Sequence, residues 1–230
     1  MVSDGRYVRS EERFKCYACE ALSSQFADRV LFDQFYSSLY PDALKDEFLR
    51  VASHYLFLVK RGDWYVNIRG PDQVVDYLTN SFKLVALFSL IESLSTEEYM
   101  DFYEWLTKKD REGSFPIANK QTLSALYREY KLAYGSIRRC VTFFDRLPCT
   151  QKNVLCHAIK FNGQPLGSVK KVAQFLYDLR SKFVHQGQLV LHVSELPVMS
   201  VKAGIKTQLS MGALSEAFEQ GMLAHFRSPT

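Results

Sequence analysis

The feature that most constrains this chain is an amphipathic stretch at residues 168–187, SVKKVAQFLYDLRSKFVHQG. Val169, Val172, Ala173, Leu176, Leu179, Phe183 and Val184 recur three and four residues apart. At about 100° per residue they fall on one broad face of a helix, and that face is the one expected to be buried. Ser168 is placed to cap the first turn, and Gly187 offers a left-handed stop. Arg180 falls within about 20° of the middle of the apolar stripe, between Leu176 on one turn and Phe183 and Val184 on the next. A permanent cation there is costly unless paired, so Arg180 must meet a carboxylate, a bound anion or a partner subunit. His185 lies about 140° further round, in the polar sector with Asp178 and Ser181, so a straight helix does not aim the two groups at each other.

Helical periodicity runs through most of the remaining chain and predicts an all-α fold. Residues 11–40 read as one or two helices, broken at Pro41, which then opens a second helical region at 42–60 that Gly62 ends. Residues 73–94 are apolar around nearly the whole circumference, as expected for a central helix covered on all sides; Glu92 is the exception. Ser95 followed by Glu98 has the spacing of a capping box opening a helix at 96–108. A long helical stretch follows at 119–146, bent at Gly135, then a shorter one at 148–160, a loop at 162–167, and a terminal helix at 210–226. Two segments break the pattern: the aromatic DWYVNI at 63–68, read as an extended connector or small hairpin, and the alternating QLVLHV at 188–193, read as a strand or an extended arm. The organisation expected is an N-terminal helical extension, 1–70, and a helical domain, 71–230, packed as one globular unit.

With 47% hydrophobic and 14% aromatic residues among 230, the chain has ample material for a core. A net charge of +4, from 29 basic and 25 acidic residues, neither requires nor excludes a nucleic-acid partner. The longest strongly apolar run, 84–91, is too short to span a bilayer. With an odd number of cysteines and no signal peptide, the expectation is a soluble cytoplasmic protein with free thiols. Cys16-x2-Cys19 lies within a helical pattern and has no second pair, and Cys149, Cys156 and His157 are irregularly spaced, so no metal site is expected. The glycine and serine motifs of P-loops, dinucleotide folds and hydrolase elbows do not occur.

Arg180, four intervening residues and His185 make an Arg-x4-His pattern late in a helical chain, spelled Leu179-Arg180-Ser181-Lys182-Phe183-Val184-His185. Together with the earlier apolar helix ending Leu90-Ile91-Glu92-Ser93-Leu94, it resembles the HEPN superfamily, most closely its Abi-like or Apea-like branch, over roughly residues 71–187. The resemblance implies a HEPN-like helical bundle that pairs as a homodimer, so that two Arg-x4-His motifs face each other across a cleft. In catalytic members that cleft cuts RNA without a metal ion or other cofactor, leaving a 2′,3′-cyclic phosphate and a 5′-hydroxyl. The implied roles suit the residue types. Histidine relays protons near neutral pH, and arginine donates in a fork to phosphoryl oxygens.

On this reading Arg180 and His185 are catalytic. Glu92 and Ser181 orient the arginine, and Lys170, Lys171 and Lys182 are candidates for tracking the RNA backbone. The implied setting is a toxin or antiviral defence system, with an antitoxin or other defence component as partner and no membrane. Two other readings stay open. Arg180 and Glu92 form a buried ion pair holding two central helices in register, or the chain is a catalytically silent module for RNA or nucleotide binding or for dimeric assembly.

Overall fold

Helical periodicity becomes helix over most of the chain described by the computed structural model, residues 8–62, 73–94, 100–194, 197–200 and 204–227. The stretch 11–40 divides into α1 (Glu12–Ala21) and α2 (Arg29–Ser38), because Asp28 caps the second helix by accepting the Leu31 N–H at 2.9 Å. Helix α3 (Asp42–Tyr55) starts directly after Pro41, as expected, and passes into a π-helical turn, Leu56–Lys60. The apolar helix is α4 (Gln73–Ser93). The capping box at Ser95 and the connector at 63–68 lie outside the described residues. The next helix, α5 (Phe102–Leu106), is shorter than the 96–108 expected, with Asp101 as its cap.

The single bent helix expected at 119–146 is two helices, α6 (Lys120–Tyr134) and α7 (Ser136–Asp145). Gly135 between them is extended, at φ −67° and ψ 132°. Then come α8 (Cys149–Ala158), α9 (Val169–Gln186) and α10 (Met211–Arg227). The ends of α9 form as its sequence requires. The Ser168 hydroxyl accepts the Lys171 N–H at 3.4 Å, and Gly187 is left-handed (φ 67°), its N–H bonding the Phe183 carbonyl at 3.0 Å.

The all-α expectation needs one amendment, a small antiparallel sheet. Strands β1 (Ile159–Phe161), β2 (Gln164–Pro165), β3 (Val198–Ser200) and β4 (Ile205–Thr207) lie in the order β2-β1-β4-β3. Asn162 and Gly163 have φ of 49° and 80° and make the two-residue turn between β1 and β2, within what had read as a loop. The Asn-Gly pair was the available signal, since both central residues of such a hairpin turn need positive φ. Residues 188–193 form the extended arm rather than a strand. Ser81 Oγ accepts the Val190 N–H at 2.9 Å and Asn80 Nδ2 donates to the Val193 carbonyl at 3.1 Å, which docks the arm on α4.

One buried cluster draws on both sides of position 70. Phe48 of α3 meets Phe226 edge-on at 5.3 Å, and Tyr55 meets Phe218 at 4.8 Å, so α10 closes over the N-terminal helices. A smaller cluster around Met100, Trp105 and Leu106 joins α5 to α6, with the Arg111 guanidinium 3.7 Å above the Trp105 ring. Trp105 therefore packs inside the protein.

Near the end of α10, His225 is buried, and its Nδ1 lies 2.7 Å from Arg146 Nη1. Arginine only donates, so Nδ1 is the acceptor and the imidazole is neutral. Burial first, and the Arg146 charge second, hold its pKa below the ordinary histidine value. His54 and His192 are shifted in the same direction, each by burial and then by a neighbouring cation. A base whose folded pKa is lowered leaves the unfolded chain binding more protons, so stability is complete above the unfolded value and falls with pH below about 6.5. The melting temperature is expected to drop between about pH 7 and pH 5, and His225→Gln to flatten that slope. A melting temperature constant across this range would contradict the assignment.

Candidate functional site

Three helices build the surroundings of Arg180. Helix α9 packs along α7 and crosses α4, so Glu92 near the end of α4, Cys140 of α7 and Arg180 of α9 come together. Arg180 Nη2 lies 3.9 Å from Glu92 Oε1, with the two side chains 18% and 24% exposed. That separation is close enough for charge attraction and too long for a hydrogen bond. Consistently, both Arg180 Nε and Glu92 Oε1 are buried without a hydrogen-bond partner. The guanidinium also lies 5.7 Å from the centroid of the Tyr177 ring, one turn back on the same helix. Cys140 is fully buried behind the pair. Burial, then the Glu92 carboxylate, pushes its thiol up to about 12 against the opposing pull of Arg180, so it stays protonated and packs as a small apolar residue.

The apolar stripe of α9 behaves differently along its length. Val169, Val172, Ala173 and Leu176 are buried, Leu179 and Phe183 are half-buried, and Val184 is 47% exposed. The expectation of one buried face thus holds for the first three turns and fails in the last. Helix α4 is likewise not covered on all sides, since Leu78 is 41% and Phe82 43% exposed, with Phe82 edge-on to Phe183 at 5.1 Å. Arg180 therefore stands where the apolar stripe of α9 emerges from the core.

His185 is exposed in the last turn, on the flank about 140° from Arg180. Among the described residues no hydrogen bond or ion pair joins it to Arg180. Ser181 is half-buried, while Lys170, Lys171 and Lys182 are exposed. The three lysines share His185's side of the helix within about 60°, but Lys170 and Lys171 lie about 17 Å up the axis from Lys182. A single copy thus places His185 on a polar flank that carries Asp178 as well as the three lysines, and turns Arg180 inward. Among the described residues, no group of three His, Cys, Asp or Glu side chains could hold a metal ion, and no helix is long and apolar enough to cross a membrane.

The chain finds no match among models of known protein families, curated proteins or solved structures. Its chemistry therefore has to be read from its own side chains.

Two polar features of the structure had no counterpart in the sequence reading. His192, at the end of the arm, lies edge-on to Phe175 at 5.8 Å, and its Nε2 is buried without a partner. Glu219 of α10 is buried at the centre of a hydrogen-bond network. Its Oε1 accepts from Tyr55 Oη at 2.7 Å and pairs with Lys60 Nζ at 2.8 Å, and its Oε2 accepts from Ser24 Oγ and, at 3.0 Å, from Gln25 Nε2. The signal for Glu219 was the one used for Arg180, a charge on an otherwise apolar helix flanked by Phe218 and Met222.

Proposed function

We propose that this chain is a HEPN-type, metal-independent endoribonuclease whose cleft forms when two copies pair across the α4–α9 surface. The observation that carries the reading is the state of Arg180: a guanidinium at the edge of the core, its side chain 18% exposed and 3.9 Å from the Glu92 carboxylate, beyond hydrogen-bond length. Such a group keeps donors for a phosphate, whereas a closed bidentate pair would have used them. The exposed apolar side chains of Leu78 and Val184 support pairing, because a second copy seated on them would remove apolar surface from water. Pairing also supplies what one helix lacks, bringing the His185 of one copy toward the Arg180 of the other.

In the reaction, the 2′-oxygen attacks the adjacent phosphorus. As the 2′-O–P bond forms, the P–O5′ bond breaks, a proton leaves the 2′-hydroxyl and a proton reaches the departing 5′-oxygen. His185 serves one of these proton transfers, and Arg180 stabilises the charge growing on the phosphoryl oxygens. The products are a 2′,3′-cyclic phosphate and a 5′-hydroxyl, and toxin or defence systems are the setting in which the resemblance places such an activity.

The test is cleavage of single-stranded RNA with a chelator present, together with the molar mass in solution. His185→Ala and Arg180→Ala are each expected to slow cleavage about a hundredfold, and Val184→Glu to shift dimer toward monomer with loss of activity. Cleavage indifferent to both His185→Ala and Arg180→Ala would overturn the site. The same 3.9 Å contact favours one other reading, in which Arg180 and Glu92 act as a strut between α4 and α9 in a non-catalytic RNA-binding or assembly module. That reading predicts RNA binding without cleavage, and an Arg180→Ala protein that is less stable.

A further inference from the structure

Beside the last turns of α9, on the flank away from Arg180, a cavity of about 460 Å³ opens between the helix and the arm that follows it. Among the described residues it is lined by Leu179, Lys182, Gln188, Leu189, Leu191 and His192. Its volume falls in the range of about 300–1,000 Å³ that holds small ligands. The arrangement is also polarised by chemistry. Three leucines supply apolar wall, Lys182 brings a cation, Gln188 an amide and His192 an imidazole. Burial, then the Lys182 charge, holds the His192 pKa below its ordinary value, so the ring is a neutral donor and acceptor and not a second cation.

Position along the helix relates the cavity to the proposed cleavage site. Lys182 and His185 are three residues apart, so they lie about 60° apart around α9 and about 4.5 Å apart along its axis. A phosphate at His185 would thus lie within about one nucleotide's length of Lys182 at the mouth of the cavity. We propose that this cavity is a nucleotide pocket that seats the base next to the scissile phosphate, with Lys182 on the flanking phosphate and Gln188 reading the base edge. The proposal rests on the endoribonuclease reading for the placement of the cut, but not for the binding itself.

The ligand chemistry follows from the balance of groups. A free phosphate would meet one lysine near a helix C-terminus, where the aligned backbone carbonyls disfavour an anion. Most of the binding must therefore come from a flat, largely apolar ring with hydrogen-bonding edges, laid against the leucines. A nucleobase has that character, and inorganic phosphate does not. The arm is tethered at Val190 and Val193 by Ser81 and Asn80, so the wall carrying Leu189, Leu191 and His192 is held in place before a ligand arrives.

The test is calorimetric titration of the full chain with AMP, GMP, CMP, UMP and inorganic phosphate. It uses the wild type, Leu191→Trp, which fills the cavity from a half-exposed position, and Gln188→Ala. Circular dichroism confirms that each variant is folded. At least one mononucleotide is expected to bind about tenfold more tightly than phosphate, and Leu191→Trp to weaken it by at least about tenfold. In the cleavage assay Leu191→Trp and Gln188→Ala are expected to flatten preference among RNAs that differ only in the base beside the cut. Equal binding of phosphate and all four mononucleotides, or binding unchanged by Leu191→Trp, would overturn the pocket even if RNA is cleaved. Tight, Leu191-dependent mononucleotide binding by a chain that cleaves nothing would support the pocket and sink the nuclease reading instead.

Discussion

Truncation of Glu219 to alanine is expected to lower the folding free energy by about 3 kcal/mol or more, one of the largest single-site effects in this protein. The carboxylate is buried in α10, and four side chains from the N-terminal third converge on it: Ser24, Gln25, Tyr55 and Lys60. Burial opposes its ionisation, but the bonds from Lys60, Ser24, Tyr55 and Gln25 outweigh that cost and hold its pKa below the ordinary glutamate value. Tyr55 responds in the opposite sense. Burial, then the Glu219 charge, raises its pKa, so it remains a donor. Removing the carboxylate leaves the buried Tyr55 hydroxyl facing a void. Ser24, Gln25 and Lys60 reach solvent, and Lys60 is also bonded to the Ala21 carbonyl at 2.6 Å.

Glu219→Gln keeps the shape and one acceptor but loses the charge opposite Lys60, and is expected to cost about 1–3 kcal/mol. Because the folded pKa of Glu219 is depressed, its ionic contribution is present above the unfolded value and disappears as pH falls through the folded value. The gap between wild type and Glu219→Gln should therefore narrow in acid, below about pH 4.5. Urea unfolding at two pH values measures both effects. A Glu219→Ala midpoint equal to that of wild type would show that the network holds nothing together.

Gly221→Val is expected to cost about 3 kcal/mol or more, for a steric reason. A Cβ at Gly221 would meet Phe143 Cζ, lie 2.7 Å from its Cε1 and 3.0 Å from its Cε2. Those distances are below contact, and the ring cannot easily retreat. It is stacked on Phe218 at 5.8 Å and edge-on to Phe144 at 5.7 Å, and the neighbouring void is only about 10 Å³. Alanine would gain about 1 kcal/mol of helix propensity over glycine, which partly offsets the clash; valine adds two methyl groups and loses most of that gain. Phe143→Leu in the same chain should relieve the overlap, so the double variant is expected to be more stable than the sum of the single changes predicts. Strict additivity in thermal unfolding would mean that α7 and α10 do not meet at this point.

The two predictions mark where sequence reasoning stops. Glycine in the middle of α10 looks like a local weakness of the helix, and only the approach of Phe143 from 78 residues earlier in the chain, 221 minus 143, gives it a purpose. Glu219 is an acid on the helix face of Met222, Leu223 and Phe226, a signal like that of Arg180, but the residues that satisfy it lie more than 150 positions away. The same contrast holds within α9. Its caps, its length and the placement of Arg180 on the apolar side follow from residues within a few turns of one another, and all of these are legible in order along the chain. Whether the last turn is covered depends on what packs beside it, and that left Val184 47% exposed where the pattern promised burial.

The sequence by itself determined most of the helices and their ends, because capping bonds, glycine stops and the 3.6-residue period are local quantities. It determined as well that Arg180 would need a partner and that Arg180 and His185 point to different sides of their helix. Only the tertiary structure decided that the partner is Glu92, that the contact stops at 3.9 Å, and that the arm after Gly187 folds back to leave an open cavity beside Lys182. It also brought β1, β2, β3 and β4 together, strands of two or three residues whose patterns are too short to read. The physical reason is range: hydrogen bonds within a helix are set by neighbours in sequence, whereas ion-pair distances, cavities and the pairing of short strands are set by groups that meet only after the chain has packed.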